Sequence, residues 1–390
     1  MTYDFDTLTD RSNTNSIKWE PGVLKRMFGR EDLLPLWVAD MDFKCPQPVI
    51  EALTERARHG IFGYSEPSED YYEAIIDWNR RRNNWNISKE WFVYTPGVVP
   101  AVNYLIHTFS RPGDKVIIQN PVYYPFANSI RKNGRQLVDN PLVLEGSSYR
   151  MDFEDLEGKA KDPLAKILIL CSPHNPVGRV WTREELTRLG EICIENDVLV
   201  ISDEIHSDLI LKGHTHTPFA VISEDFAENS VVCTAPSKTF NLAGLQLSNI
   251  FIPNIKLRRE FRQTMERLSL TRPNTFAITA ATAAYREGEE WLEQLLEYLK
   301  GTVSWVRDFI EKELPGVSLI EPEGTYLAWL DFRALEPDPK ALEKLMLEKA
   351  KIALDEGYIF GRGGEGFERI NLACPRSLVE KAFKAIRAAV

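Results

Sequence analysis

The chain has 390 residues, long enough for a large domain and a smaller one. Hydrophobic residues make up 44% and charged residues 27%, the balance of a soluble globular protein. The net charge of −10, with no basic cluster to offset it, argues against general binding to nucleic acid or to an acidic membrane surface.

The first residues, "MTYDFDTLTD", are acidic and lack an apolar stretch, so no signal peptide is expected. No run of about 18 apolar residues marks a membrane span. The cysteines, Cys45, Cys171, Cys193, Cys233 and Cys374, are scattered, odd in number and free of CxxC spacing. Reduced thiols in a cytoplasmic protein are the natural expectation.

Residues 1–48 show no core of their own. From residue 49 to about 287 the pattern is that of a large α/β domain. Val98, Val99, Val102, Leu105, Ile106 and Phe109 fall on one helical face behind Gly97. "KVIIQ" (115–119), "KILILCS" (166–172), "VLVIS" (198–202), "SVVCT" (230–234) and "LSNIFI" (247–252) read as short buried strands rich in Val and Ile. Between them "TREELTRLGEICIEN" opens with Thr182 as N-cap and Glu185 three residues on, a capping box. Strand alternating with helix requires crossover connections and so a mostly parallel central sheet covered by helices. Beyond residue 287 come two helical patterns between 289 and 314. Then follow short strands in "GTYLAWLDF", "YIFGRGGEGF" and "ERINLA", and an amphipathic C-terminal helix. Residues 288–390, together with 1–48, are expected to form a smaller α+β domain.

In an open parallel sheet, ligands bind beyond the carboxyl ends of the strands. Asn175, Asp203 and Lys238 follow three successive strands. Each alone has an ordinary reading: a turn asparagine, a helix cap, a solvated lysine. Lys238, however, sits in "VVCTAPSKTFNLAGLQLSN" with no charged neighbour, where an apolar setting would lower its pKa. An amine beside a carboxylate suits covalent catalysis on a carbonyl, and pyridoxal phosphate needs that pair: a lysine for its aldehyde and an acid for its ring nitrogen. A phosphate fits the free N–H groups of Val98 and Val99 at the helix start in "TPGVVPAVNYL". Tyr123 or Tyr124 in "NPVYYPF" supplies an aromatic face for the ring.

Other motifs carry less. "GRGGEG" (361–366) matches a dinucleotide fingerprint but is not followed by a helix, and a Gly-rich turn is the better reading. "VLVISDE" resembles an ATPase strand end, yet the sequence has no phosphate-binding Gly-Lys loop. His214 and His216 in "HTHTP" read as a loop pair rather than metal ligands.

Taken together, "LWVADMDF", "GIFGY", "TPGVVPA", "PVYYPF", "CSPHNPVGRVWTREEL", "VISDEIHSDL", "GHTHTPF", "APSKTFNLAGLQLSN", "GTYLAWLDFR" and "ERINLACPR" resemble the MalY/PatB-type cystathionine β-lyases. These are C–S lyases in the fold-type I, aspartate-aminotransferase-like group of pyridoxal-phosphate enzymes. The resemblance spans nearly the whole chain, in order. It implies β-elimination from cystathionine, and from other cysteine S-conjugates, to a thiol such as homocysteine with pyruvate and ammonia. It further implies that Lys238 bonds the cofactor aldehyde and moves the Cα proton, and that Asp203 pairs with the ring nitrogen. Asn175 would bond the ring hydroxyl and help bind substrate, while Tyr123 would stack on the ring. Val98, Val99, Ser237 and His206 would complete the cofactor site. Arg369 would clamp the α-carboxylate, and Tyr64 would reach the site of a neighbouring subunit in a homodimer with composite sites. Two positions depart from the aminotransferase pattern: His206 stands where a tyrosine is common and Gln246 where an arginine binds phosphate. An aminotransferase on the same fold, and a regulatory protein-binding role alongside catalysis, are the other readings kept open.

Overall fold

A computed structural model describes residues 2–390. Its central sheet has seven strands: β1 Phe92–Thr95, β2 Lys115–Ile118, β3 Gln136–Asp139, β4 Ala165–Cys171, β5 Leu199–Asp203, β6 Ser230–Thr234 and β7 Ser248–Phe251. In space they run β1-β7-β6-β5-β4-β2-β3. Strands β2 to β6 pair in parallel, as the alternating pattern requires. Both β7 pairings are antiparallel, against β6 and β1. The sequence reading treated "LSNIFI" as one more strand of a mostly parallel sheet. The link from β6 to β7 holds only a single turn, Pro236–Thr239, and a short 3-10 segment, too little for a crossover helix, so the chain doubles back. The two end strands, β1 and β3, escaped the sequence reading. Each is four residues long, and β3 is only partly buried, so neither shows a continuous apolar run.

Alternation along the inner strands feeds two cores. Ile117, Leu168, Leu170 and Val200 face Leu186, Leu189 and Ile192 of a helix whose start carries the expected Thr182–Glu185 capping box. Val116, Ile167, Ile169, Ile201 and Val231 face Val98, Val102, Leu105 and Ile106 on the opposite side. The helices that matter below are α1 Gln47–His59, α2 Val98–Phe109, α3 Arg183–Glu195, α4 Thr275–Glu287, α5 Glu289–Glu313 and α6 Arg376–Ala389. α5 is one continuous 25-residue helix where the sequence suggested two. It joins two cores. Trp291, Leu292, Leu295 and Leu299 pack with Phe5, Phe43, Trp78 and Phe240. Val303, Val306 and Ile310 pack with the C-terminal sheet and with Val379, Phe383 and Ile386 of α6.

That second sheet is antiparallel, in the order β8-β9-β11-β10, with β8 Ser318–Ile320, β9 Leu327–Asp331, β10 Asp355–Glu356 and β11 Phe367–Asn371. "YIF" is a 3-10 turn, not a strand. The Gly-rich loop after it allows two backbones to touch: a Cβ on Gly357 would lie 2.0 Å from the Gly364 carbonyl oxygen. The N-terminal segment joins this side of the molecule, with Leu34–Pro35 pairing in parallel with Ile352–Ala353. The two histidines of "HTHTP" also part company. His214 is exposed, whereas His216 is buried with Nε2 2.9 Å from Glu204 Oε2, an interior pair rather than a loop pair.

Candidate active site

The ends of β4, β5 and β6 lie level, because Cys171 pairs with Asp203 and Asp203 with Cys233. The polar groups that follow these strands therefore leave the sheet along one edge. Asp203 closes β5, Asn175 follows β4, and Lys238 sits in the Pro236–Thr239 turn after β6. All three line one cavity of about 180 Å³, together with Val98, Val99, Tyr123, His206 and Ser237. A larger hollow of about 470 Å³ opens at Ser248 and Asn249, lined by Tyr72, Tyr94, Arg262 and Arg272. Glu66 and Glu266 line it but no lysine does, so the smaller cavity, which brings a lysine and a carboxylate together, is the candidate site.

The Lys238 ammonium donates to the Ala39 carbonyl at 2.6 Å. Burial, and then the nearby Arg369 charge, bring this amine down to about 8, against the opposing pull of Asp40 and Asp203. Burial pushes the Asp203 carboxyl up to about 7, while the Ile205 N–H, 3.1 Å from Oδ1, and the Lys238 charge act against the rise. The two groups thus hold shifted affinities for protons without bonding to each other. His206 is fully enclosed. Burial, Lys238 and Arg369 keep its imidazole well below the usual range, and its Nδ1 has no partner among the described residues.

The opposite end of the cavity is a helix start. Gly97, at φ +152°, turns the chain into α2, and no side chain caps it. The Val98 and Val99 N–H groups are left without an intrahelical acceptor, and Pro100 has no N–H to add. Ser237 and Gln246 stand on the same wall. Tyr123 and Tyr124, left open by the sequence, take different places. Tyr123 lines the cavity, its N–H bonded to the Asn175 carbonyl at 3.0 Å. Tyr124 packs edge-on against Phe360.

Arg369, on β11, lies behind this wall rather than on it. Its Nη1 donates to Asn175 Oδ1 at 3.0 Å, and its Nη2 donates to the Trp37 carbonyl at 2.9 Å and to Asp355. Tyr64 is wholly exposed and outside the cavity of its own chain.

The 37–42 segment, present in the sequence only as part of a resemblance, forms one edge of the site. Its Ala39 carbonyl takes the Tyr326 hydroxyl at 2.8 Å as well as Lys238. Asn371 Nδ2 holds the Val38 and Asp40 carbonyls, and Asn241 brackets the Met41 backbone. Asp42 is anchored by Lys18 at 2.6 Å and by Arg11 and Trp19, each at 2.7 Å. Sequence reasoning assigned no role to Ala39, Tyr326 or Asp355. The first acts through its backbone. Tyr326 lies in the bend just before β9 and Asp355 in a two-residue strand, and neither position has a periodicity that singles out a side chain.

The donor set fits pyridoxal phosphate. An uncapped helix start with a serine hydroxyl suits its phosphate, an amine brought toward neutrality suits its aldehyde, and a buried carboxyl suits its ring nitrogen.

A family model, "Aminotransferase class I and II", matches residues 31–386. The chain belongs to this family. Within the aminotransferase class I and II family its likeness is to the MalY/PatB type. It is 46% identical to cystathionine beta-lyase PatB of Bacillus subtilis, over 99% of this chain and 100% of that one. It is 36% identical to protein MalY of Escherichia coli, over 99% of each. The solved structure of cystalysin from Treponema denticola, described as containing a pyridoxal 5'-phosphate cofactor, superposes with a TM-score of 0.96. It is 41% identical and covers 100% of this chain and 99% of that one.

Proposed function

We infer that the protein is a pyridoxal-phosphate-dependent C–S β-lyase that cleaves cystathionine, and other cysteine S-conjugates, to a thiol, pyruvate and ammonia. The observation that carries this reading is the meeting of Lys238, Asp203 and the uncapped start of α2 in one cavity, in a chain of the PatB type.

When bound, the cofactor offers an aldehyde to the substrate's amino group and a ring that accepts the electrons left at Cα. The rest falls to the chain. Lys238, its amine near 8, removes the Cα proton, and the departing sulfur takes a proton from the resulting ammonium or from a tyrosine of the cavity such as Tyr123. Asp203 would hold a proton on the ring nitrogen. Asn175 would bond the ring hydroxyl, and Tyr123 would offer an aromatic face to the ring. Val98, Val99 and Ser237 would hold the phosphate. His206, neutral and with Nδ1 unpartnered among the described residues, adds a hydrogen bond inside the chamber. Arg369 binds the α-carboxylate and so aligns the Cα–H and Cβ–S bonds for elimination. In this scheme residues 49–287 form the cofactor domain, and residues 1–48 with 288–390 form the smaller domain that supplies Arg369.

The active form is a homodimer with composite sites. Ile61, Phe62, Tyr64 and Leu268 are exposed apolar side chains suited to contact with a second copy, and in this reading Tyr64 reaches the partner's phosphate site. The protein works in the cytoplasm. Its cysteines are unpaired, and among the described residues no helix is long and apolar enough to cross a membrane.

The deciding assay supplies cystathionine without a keto acid, then alanine with 2-oxoglutarate. Pyruvate, ammonia and homocysteine in equal amounts from the first support the lyase. Glutamate from the second, with no pyruvate from the first, overturns it in favour of transamination.

A further inference from the structure

A guanidinium carries five N–H donors, and three of those on Arg369 have partners in the structure. One Nη1 hydrogen goes to Asn175, and the two Nη2 hydrogens go to the Trp37 carbonyl and the Asp355 carboxylate. The Nε–H is buried and unpartnered among the described residues. Phe360 lies against the guanidinium, its ring centroid 5.0 Å from Cζ, which fixes the plane of the fork.

A carboxylate is gripped by two parallel N–H groups, either Nη1 with Nη2 or Nε with Nη2. Both forks need Nη2, whose hydrogens are already committed. A substrate carboxylate therefore gains a two-pronged hold only when one Nη2 partner lets go. The Trp37 carbonyl belongs to a segment tied down by Asn371 through the next residue's carbonyl. Asp355 is a buried side chain on a two-residue strand, and among the described residues its carboxylate bonds Arg369 alone, so a turn about its own bonds would release Nη2.

We propose that Asp355 holds the seat of the substrate carboxylate on Arg369 and is displaced from it, with uptake of one proton, when the substrate binds. This rests on Arg369 being the carboxylate clamp. The proton follows from the surroundings. Besides Arg369, the charged or titratable groups around Asp355 are Glu356 and Glu368 on its own sheet, Glu343 beyond them, and Tyr123 and Tyr124 from the large domain. Among the described residues the one other cation in this neighbourhood, Lys340, is exposed and paired with Glu343, so Arg369 alone acts on Asp355 as a positive charge. Burial already works against ionisation of this carboxyl, and Arg369 is what opposes it. Once a second carboxylate shares Arg369, the neutral form of Asp355 is favoured. Asp355 is a positioning residue in this scheme. It keeps a buried guanidinium paired and oriented until substrate arrives.

The test uses the cofactor-loaded enzyme and 3-(methylthio)propionate, which has a carboxylate and a sulfur side chain but no amine to react. Calorimetric titration in HEPES and in Tris, whose ionisation heats differ, counts protons. The expected result is an uptake approaching one proton per site, with affinity falling up to about tenfold per pH unit on the alkaline side. Asp355→Asn should abolish both the uptake and the pH dependence, and bind the probe on the order of tenfold more tightly because the competing charge is gone. Wild-type binding without proton uptake overturns the proposal, and so does weaker binding by Asp355→Asn. The wild-type titration stands even if the variant fails to fold. Cystathionine turnover tests the lyase reading separately, so normal turnover without proton uptake sinks the Asp355 proposal alone.

Discussion

In the large sheet, the cation and anion of the site share a cavity but bond to backbone groups instead of to each other. Lys238 donates a hydrogen bond to the Ala39 carbonyl, and Asp203 accepts one from the Ile205 N–H. In the small sheet, Arg369 and Asp355 face one another on paired strands and are joined directly. Burial is similar in both places. Burial raises both carboxyls, but Asp355 has the Arg369 guanidinium at contact distance to oppose the rise, whereas Asp203 has a backbone N–H and an unbonded Lys238 charge. The amine near 8 and the carboxyl near 7 are poised to exchange protons. The guanidinium is built to stay charged and to recognise an anion. In the proposed function, chemistry and recognition are thus divided between the two sheets.

Removing Lys238 strikes the reactive side hardest. Lys238→Ala should lower turnover by several powers of ten and eliminate the cofactor–lysine adduct trapped by borohydride, which peptide mapping of the wild type should locate at this residue. An adduct on another lysine would move the chemistry elsewhere. Asp203→Asn comes next. It keeps the shape but loses the charge, and a drop of about a hundredfold or more in kcat is expected, each factor of ten being about 1.4 kcal/mol. Near-normal turnover would remove Asp203 from the mechanism.

On the recognition side, Arg369→Ala should raise KM and lower kcat together, because the group that binds the carboxylate also sets its alignment. A loss confined to kcat would place Arg369 among the reactive groups and erase the division drawn above. A smaller effect concerns assembly. Mixing the inactive Tyr64 and Lys238 single variants should restore up to about a quarter of wild-type activity, since half of randomly exchanged dimers carry both defects in one site and leave the other intact. No recovery, once mass spectrometry has confirmed exchange, would confine Tyr64 to its own chain.

The smallest effect lies behind the clamp, where Glu368 pairs across β10–β11 with Glu356. Glu368 is fully buried with Oε2 unpartnered among the described residues, and burial raises its carboxyl well above the usual range. Glu356 is raised to about 7, mainly by burial. A glutamate in the unfolded chain ionises above about 4.3, so over the range between that value and its raised value the folded protein binds the extra proton. Stability from these groups is therefore full at acid pH and is lost as pH rises. Glu368→Gln, neutral at every pH, should raise Tm by about 1–2 °C at pH 9 and by less at pH 5, measured by calorimetry. A variant equally or more favoured at pH 5 would show that Glu368 is not held protonated.

Much of the reactive side was legible because its residues end buried strands. Runs such as "KILILCS" and "VLVIS" announce themselves by Val and Ile content, and Asn175 and Asp203 inherit their positions from them. The capping box at Thr182 and the Gly97 turn were equally local. The direction of β7 was not legible, since it depends on how little chain separates it from β6. The unity of α5 was hidden because its apolar residues serve two cores in succession. Asp355 matters only through Arg369, 14 residues away, and a two-residue strand carries no periodicity to point to it. Tyr64 was legible only by resemblance, and its exposure agrees with a role outside its own chain without assigning one.

The Ala39 carbonyl has a consequence for how such a site tolerates genetic change. It is the hydrogen-bond acceptor of Lys238, yet every amino acid carries the same oxygen, so no single codon at position 39 can delete it. The hereditary weak points lie instead at Asp42, Asn241 and Asn371, whose side chains fix the path of the segment. A saturation scan scored by enzyme output should find position 39 permissive toward small residues and those three anchors intolerant, although none of the anchors touches the reacting amine.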